Sequence, residues 1–107
     1  RENVDLANQI VKNGLLVTEF SPGVPPLRAN FLARNRIISG LSIGVLIVEG
    51  AVRSGTLSIA NWAASQNREV FAIPGRVDSP TSYLPNYLIG QGASIVTKPE
   101  DILDMIR

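Results

Sequence analysis

The sequence predicts an α/β fold, a Rossmann-like parallel sheet with flanking helices, and three observations carry that expectation. Short apolar runs of strand length alternate along the chain with segments of helical periodicity, the pattern of βαβ units and right-handed crossovers. One run, Val45-Leu46-Ile47-Val48, is continuous and rich in β-branched residues, as a strand buried on both faces requires. It leads through a turn-forming segment, Gly50 to Gly55, into a helical pattern with Leu57, Ala60 and Ala64 on one face. That strand–turn–helix unit directs the first N–H groups of the helix toward the end of the strand, with Ser54 or Thr56 as the expected cap. With Arg53 and a hydroxyl at the turn, it is a place where an anion can rest, although many such turns bind nothing.

The other elements follow in order. Glu2 to Asn13 reads as a helix, with Val4, Ala7 and Val11 on one face and Gly14 as its stop. Leu15 to Phe20 reads as a strand. Ser21 to Pro26 is a loop, because its three prolines are incompatible with regular structure. Asn30 to Ser39 is a second helix closed by Gly40, and Glu69 to Ile73 a strand ended by Pro74-Gly75. A polar loop from Arg76 to Pro85 leads to a short helical piece around Asn86 to Ile89. Ser94 to Thr97 is a strand, and Pro99 to Ile106 a helix with proline first and acids in its opening turn. A leading helix and only four strands fit part of a larger doubly wound domain whose N-terminal portion is missing, so residues 1–107 read as a partial Rossmann-like domain.

Composition narrows the chemistry. The 107 residues are 45% hydrophobic and 18% charged, a packed rather than disordered chain. There is no cysteine and no histidine, which excludes disulfides and thiolate or imidazole metal sites and removes the commonest general base. Enzymatic chemistry is therefore disfavoured, though carboxylates could still serve, and no metal or cofactor is expected. No run approaches a membrane span and no signal-peptide pattern opens the sequence, so a cytoplasmic protein with no membrane partner is expected. The net charge is only +1, but it is segregated. Six arginines (28, 34, 36, 53, 68 and 76) face two glutamates in the central stretch, a net of +4, while the remainder carries −3. Eight of the ten basic residues are arginine, the side chain suited to bidentate capture of phosphate.

The second helix holds the least ordinary chemistry. On a wheel of about 100° per residue, Phe31, Ile37, Ile38 and Leu41 form an apolar arc that includes Arg34, while Asn35 and Arg36 fall outside it. A guanidinium on a core-facing stripe must have an anion. That anion is either a carboxylate, with Glu19 and Glu49 the candidates, or a phosphate.

The blocks Phe31-Leu32-Ala33-Arg34-Asn35-Arg36-Ile37-Ile38-Ser39-Gly40-Leu41-Ser42, Val48-Glu49, Ser54-Gly55-Thr56-Leu57, Arg68-Glu69-Val70-Phe71-Ala72-Ile73-Pro74-Gly75 and Asn86-Tyr87-Leu88-Ile89 with Gly92-Ala93 resemble, in order, the DNA processing protein A family (DprA, also called Smf). The likeness covers nearly the whole chain and departs from the family pattern at Thr18, Leu32 and Pro85. It implies a Rossmann-like domain that binds and protects single-stranded DNA, hands it to the RecA recombinase in natural transformation, acts as a homodimer and is not an enzyme. It also implies that a phosphate loop nearer the N-terminus of the family domain is absent here. Carried over by position, Arg34, Asn35 and Arg36 match the family's RNR triplet, Phe31 its aromatic, and Ser54, Gly55 and Thr56 the turn beside its pocket, with Arg53 adjoining. On these grounds Arg36, off the apolar arc, is expected to meet DNA, and Arg34 to pair with a buried carboxylate. Phe31 has two readings, a base-stacking surface or a core residue. Related folds that hydrolyse nucleotides place a glutamate on the helix after a Gly-rich turn, and here no acid follows Gly55 before Glu69.

Overall fold

The computed structural model describes residues 3–21, 23–51 and 55–106. The elements are α1 (Val4–Asn13), α2 (Arg28–Gly40), β1 (Gly44–Ile47), α3 (Thr56–Ser65), β2 (Glu69–Ala72), a 3-10 turn (Pro80–Ser82), α4 (Tyr83–Gly90), β3 (Ser94–Ile95) and α5 (Pro99–Ile106). The three strands form one parallel sheet in the order β1-β2-β3. Each is joined to the next through a helix, as parallel pairing requires.

Register places Val45 beside Val70, and Ile47 beside Ala72, on one face of the sheet. Against that face the buried Ile47, Ala60, Leu84 and Leu88 form the core, with Val45, Leu57, Val70 and Ala93 packed around them. Helices α3 and α4 therefore share one side of the sheet. On the opposite face Phe71 is also fully buried. Its ring crosses β1 at Gly44, where a Cβ would stand 2.7 Å from Phe71 Cε2, so only glycine fits. At the other end of β1, Gly50 N–H donates to the Thr81 carbonyl (2.7 Å) and Leu84 N–H donates to the Gly50 carbonyl (2.9 Å), tying the strand's exit to the start of α4.

Two helix ends are closed by one device. After α3, Asn67 adopts a left-handed conformation (φ 60°) while Arg68 N–H donates to the Ala63 carbonyl (2.8 Å). After α4, Gly92 (φ 108°) does the same as Ala93 N–H donates to the Leu88 carbonyl (2.9 Å). Both are Schellman closures, and both turn the chain directly into the next strand.

Several expectations need correction. Leu15 to Phe20 is not a strand: it carries no ladder partner, and Leu15, Leu16 and Val17 are 79%, 53% and 59% exposed. An apolar run makes a strand only beside another backbone with open hydrogen bonds, and among the described residues none runs alongside. Among the described residues the sheet thus has three strands, not four. The loop expected from Arg76 to Pro85 ends early in the 3-10 turn and α4. Pro85 lies in the first turn of α4, where its missing N–H leaves no helical bond unmade. Thr56 is the first residue of α3 rather than its cap, and Gly55 occupies the cap position. Ser54, the alternative cap, lies outside the described residues, as does Arg53.

Candidate nucleic-acid interface

Helix α2 lies against α3 through Asn35 and Ser39, polar residues one helical turn apart that are 4% and 0% exposed. Ser39 Oγ bonds Gln66 Oε1 (2.6 Å), and Gln66 Nε2 donates to the Arg36 carbonyl (3.1 Å). Asn35 Nδ2 donates to the Gly55 carbonyl (3.4 Å) at the first turn of α3. Small polar side chains facing the alanine-rich α3 let the two backbones approach closely, and their hydrogen bonds repay their desolvation.

That seam overturns the expected placement of the arginines. The apolar arc of α2 is not its buried side: Phe31, Ile38 and Leu41 are 47%, 41% and 76% exposed, and Arg34 is exposed with them. The wheel identified the apolar stripe correctly, but the burial is set by the close helix–helix seam. Arg34 meets neither Glu19 nor Glu49, and no carboxylate lies within ion-pair distance of it among the described residues. Glu19 instead pairs with Arg36 through Nη2 and Oε2. Arg36, expected to be free, is the arginine held by protein.

Two further arginines of the central stretch are also engaged. Arg76 grips Asp78 with both Nε (3.0 Å) and Nη2 (2.9 Å), and Arg68 Nη2 donates to the Gly40 carbonyl (2.7 Å) at the end of α2. Arg34 has neutral company: its Cζ lies 5.6 Å from the centroid of the Phe31 ring, and its Nη2 donates to Asn35 Oδ1 (3.3 Å). A guanidinium over an aromatic face, with no carboxylate beside it, keeps its charge available to an incoming anion.

Phe31, Arg34, Asn35, Gly55 and Thr56 line one open crevice of about 430 Å³ between α2 and the first turn of α3, together with Leu32 and Ile59. Five of the eight residues singled out from the sequence thus meet in one place. Arg36 is turned away from it, and Arg53 and Ser54 lie outside the described residues. Leu32 and Ile59 were not foreseen, since apolar residues flanking a crevice give no signal distinct from core residues. On the other side of Phe31 and Arg34, a larger and mainly apolar groove of about 660 Å³ runs along the segment from Leu15 to Pro26. Phe31 and Arg34 form the ridge between the two. Among the described residues no cluster of acidic side chains is arranged to hold a metal. No described helix is long and apolar enough to cross a membrane.

An open parallel sheet joined by crossover helices, with an arginine and an aromatic ring beside the N-terminal turn of one of them, defines a Rossmann-like α/β protein. The family model described as DNA recombination-mediator protein A matches residues 1–107, and the chain belongs to that family. It is similar to protein Smf of Escherichia coli (strain K12), at 54% identity over 94% of this chain and 27% of that protein. It is also similar to DNA processing protein DprA of Bacillus subtilis (strain 168), at 45% identity over 97% of this chain and 35% of that protein. The chain therefore spans about a quarter to a third of the length of these curated relatives. Among solved structures, DNA processing protein A of Streptococcus pneumoniae superposes with a TM-score of 0.90 at 39% identity, covering 100% of this chain and 38% of that one. The Helicobacter pylori protein, whose structure addresses its single-stranded DNA binding mode, superposes with a TM-score of 0.80 at 28% identity, over 97% of this chain and 48% of that one.

Proposed function

We propose that this chain contributes a single-stranded DNA contact to a DNA-processing protein, and that the contact is centred on Arg34 and Phe31. The observation that carries this reading is the ridge itself: an exposed guanidinium without a carboxylate partner stands over an exposed aromatic ring, beside the first turn of α3. Arg34 and the positive end of the α3 dipole attract a backbone phosphate, which carries no sequence information. Phe31 offers a face on which an unpaired base can stack, with the apolar groove beyond it, and any base has a face to offer. Asn35, Gly55 and Thr56 form the crevice wall in this reading, and Arg53 and Ser54 are included as the residues that precede Gly55 in the sequence.

The binding named for the Helicobacter pylori relative supports the choice of single strands over duplex DNA. The family's description as a recombination mediator supports the finer proposal that the strand passes from this protein to RecA during transformation. Homodimerisation, a cytoplasmic location and the absence of catalysis belong to the same proposal. In support of the last, α3 carries no acidic residue where a nucleotide-hydrolysing relative of this fold would need one.

The test is titration of a labelled oligothymidylate against the full-length polypeptide and its Arg34→Ala variant, with a duplex of equal length as competitor. Binding of the single strand that falls by about tenfold or more on Arg34→Ala supports the reading, since charge-assisted hydrogen bonds are worth roughly 1.5–3 kcal/mol. Equal affinities for the two proteins overturn it.

A further inference from the structure

We infer that Asn35 does not touch DNA but is a positioning residue, acting through Arg34 and the first turn of α3; this rests on the DNA-binding reading above. Asn35 stands between the two flanking arginine positions of the triplet, yet its side chain faces the opposite way from solvent. At 4% exposure it sits at the inner wall of the crevice between α2 and α3, with both amide atoms taken by protein partners.

Its two amide atoms do different things. Oδ1 accepts from Arg34 Nη2 at 3.3 Å, and Nδ2 donates to the Gly55 carbonyl at 3.4 Å. The same carbonyl also accepts from Ser58 N–H at 3.1 Å, the closing bond of the first α3 turn. One neutral side chain therefore links the guanidinium on α2 to the helix end on α3. With Phe31 beneath it at 5.6 Å and the amide oxygen at its edge, the Arg34 fork is held from two directions. An exposed arginine that is already ordered loses less rotamer entropy when it takes a phosphate.

The chemistry selects an amide. Aspartate at this position would neutralise Arg34 and set a carboxylate against the Gly55 carbonyl, both unfavourable to an arriving phosphate. An aliphatic residue would leave the Gly55 carbonyl without its second donor and the guanidinium without its stop. Ser39, one turn further along the seam, is equally buried but bonds Gln66 and the α2 backbone, away from the crevice. The coupling to the site passes through Asn35.

A double-mutant cycle on oligothymidylate binding separates positioning from contact. The proteins are the full-length polypeptide, Arg34→Ala, Asn35→Ala and the double variant, with Asn35→Ser as a milder replacement, each checked for folding by circular dichroism. Asn35→Ala and Asn35→Ser are expected to weaken binding by about tenfold. In the Arg34→Ala background the same changes should alter affinity less than twofold. The salt dependence of Asn35→Ala should move toward that of Arg34→Ala, a shift that a purely structural role would not give. Losses that multiply in the double variant, or an unchanged affinity in a folded Asn35→Ser protein, overturn the inference while leaving the DNA reading in place. Wild-type protein that fails to bind the strand overturns both.

Discussion

What neutralises a guanidinium decides what it is for, and the two arginines of the triplet divide on that point. Arg36 shares a surface ion pair with Glu19, the two side chains being 45% and 36% exposed. Such pairs contribute only about 0–1 kcal/mol. Arg36→Ala is therefore expected to lower stability by no more than that and to leave oligothymidylate affinity within about twofold of wild type. Arg34→Ala removes an exposed cation that no carboxylate balances. Its stability should stay within about 0.5 kcal/mol of wild type, as for most surface changes, while its DNA affinity falls. Thermal melting and titration on both variants check the split, and the reverse pattern would return Arg36 to the site. At the same scale Gly44 is constrained by volume: a methyl group there would press on the Phe71 ring and on the Glu69 backbone at 3.1 Å. Gly44→Ala should destabilise by roughly 1–3 kcal/mol in denaturant unfolding, the usual range for overpacking.

At the scale of elements, the ends of α3, α4 and α5 each carry identifiable closing bonds. Gly92, at φ 108°, makes the turn from α4 into β3, and Gly92→Ala should cost roughly 1–2 kcal/mol in a melting experiment. At the start of α5, Asp101 Oδ2 accepts from Thr97 N–H (2.9 Å) and from the Thr97 hydroxyl (3.1 Å). The Thr97 backbone bond, aided by the hydroxyl and by Lys98, holds this carboxyl below its usual range. A lowered folded-state pKa means the unfolded chain binds the proton more readily. The stabilisation is thus fully present above the ordinary carboxylate range near pH 4, and is lost as pH falls through the folded value. Asp101→Asn should flatten that acid limb in melts run from pH 6 to pH 2, and an unchanged limb would remove Asp101 as its cause. The sequence was informative about elements wherever a local signal decides them. The Pro99–Ile106 helix was legible to the residue because proline, two acids and an apolar face agree. The Leu15–Phe20 segment was misjudged because a strand is a property of two backbones. The site was half legible: the triplet and the turn were identifiable, but the α2–α3 seam was not, since Asn35 and Ser39 are buried polar residues that apolar periodicity passes over. Their signal was present as small polar residues at i and i+4 of α2.

For the whole molecule, the relevant quantity is the segregation of charge. A net charge of +1 would give little attraction to a polyanion, whereas the central stretch carries +4 and the remainder −3. The structure reduces that excess further, because Arg36 and Arg76 are balanced by Glu19 and Asp78, both outside the central stretch. Few phosphates are then neutralised, and affinity should depend on salt with a modest, countable slope. Each phosphate contact on a single strand contributes about 0.7 to the slope of log K against log salt. Arg34→Ala should therefore lower the magnitude of the slope by about 0.7, and Arg36→Ala should leave it unchanged. Backbone contacts and stacking on Phe31, as proposed, would both be indifferent to sequence, so oligomers of different composition should give parallel lines. Titrations of the wild type and both variants at four or more salt concentrations measure all of this at once. A slope near zero would remove phosphate contact as the basis of binding. A slope that falls with Arg36→Ala instead would show that the Glu19 pair opens when DNA arrives.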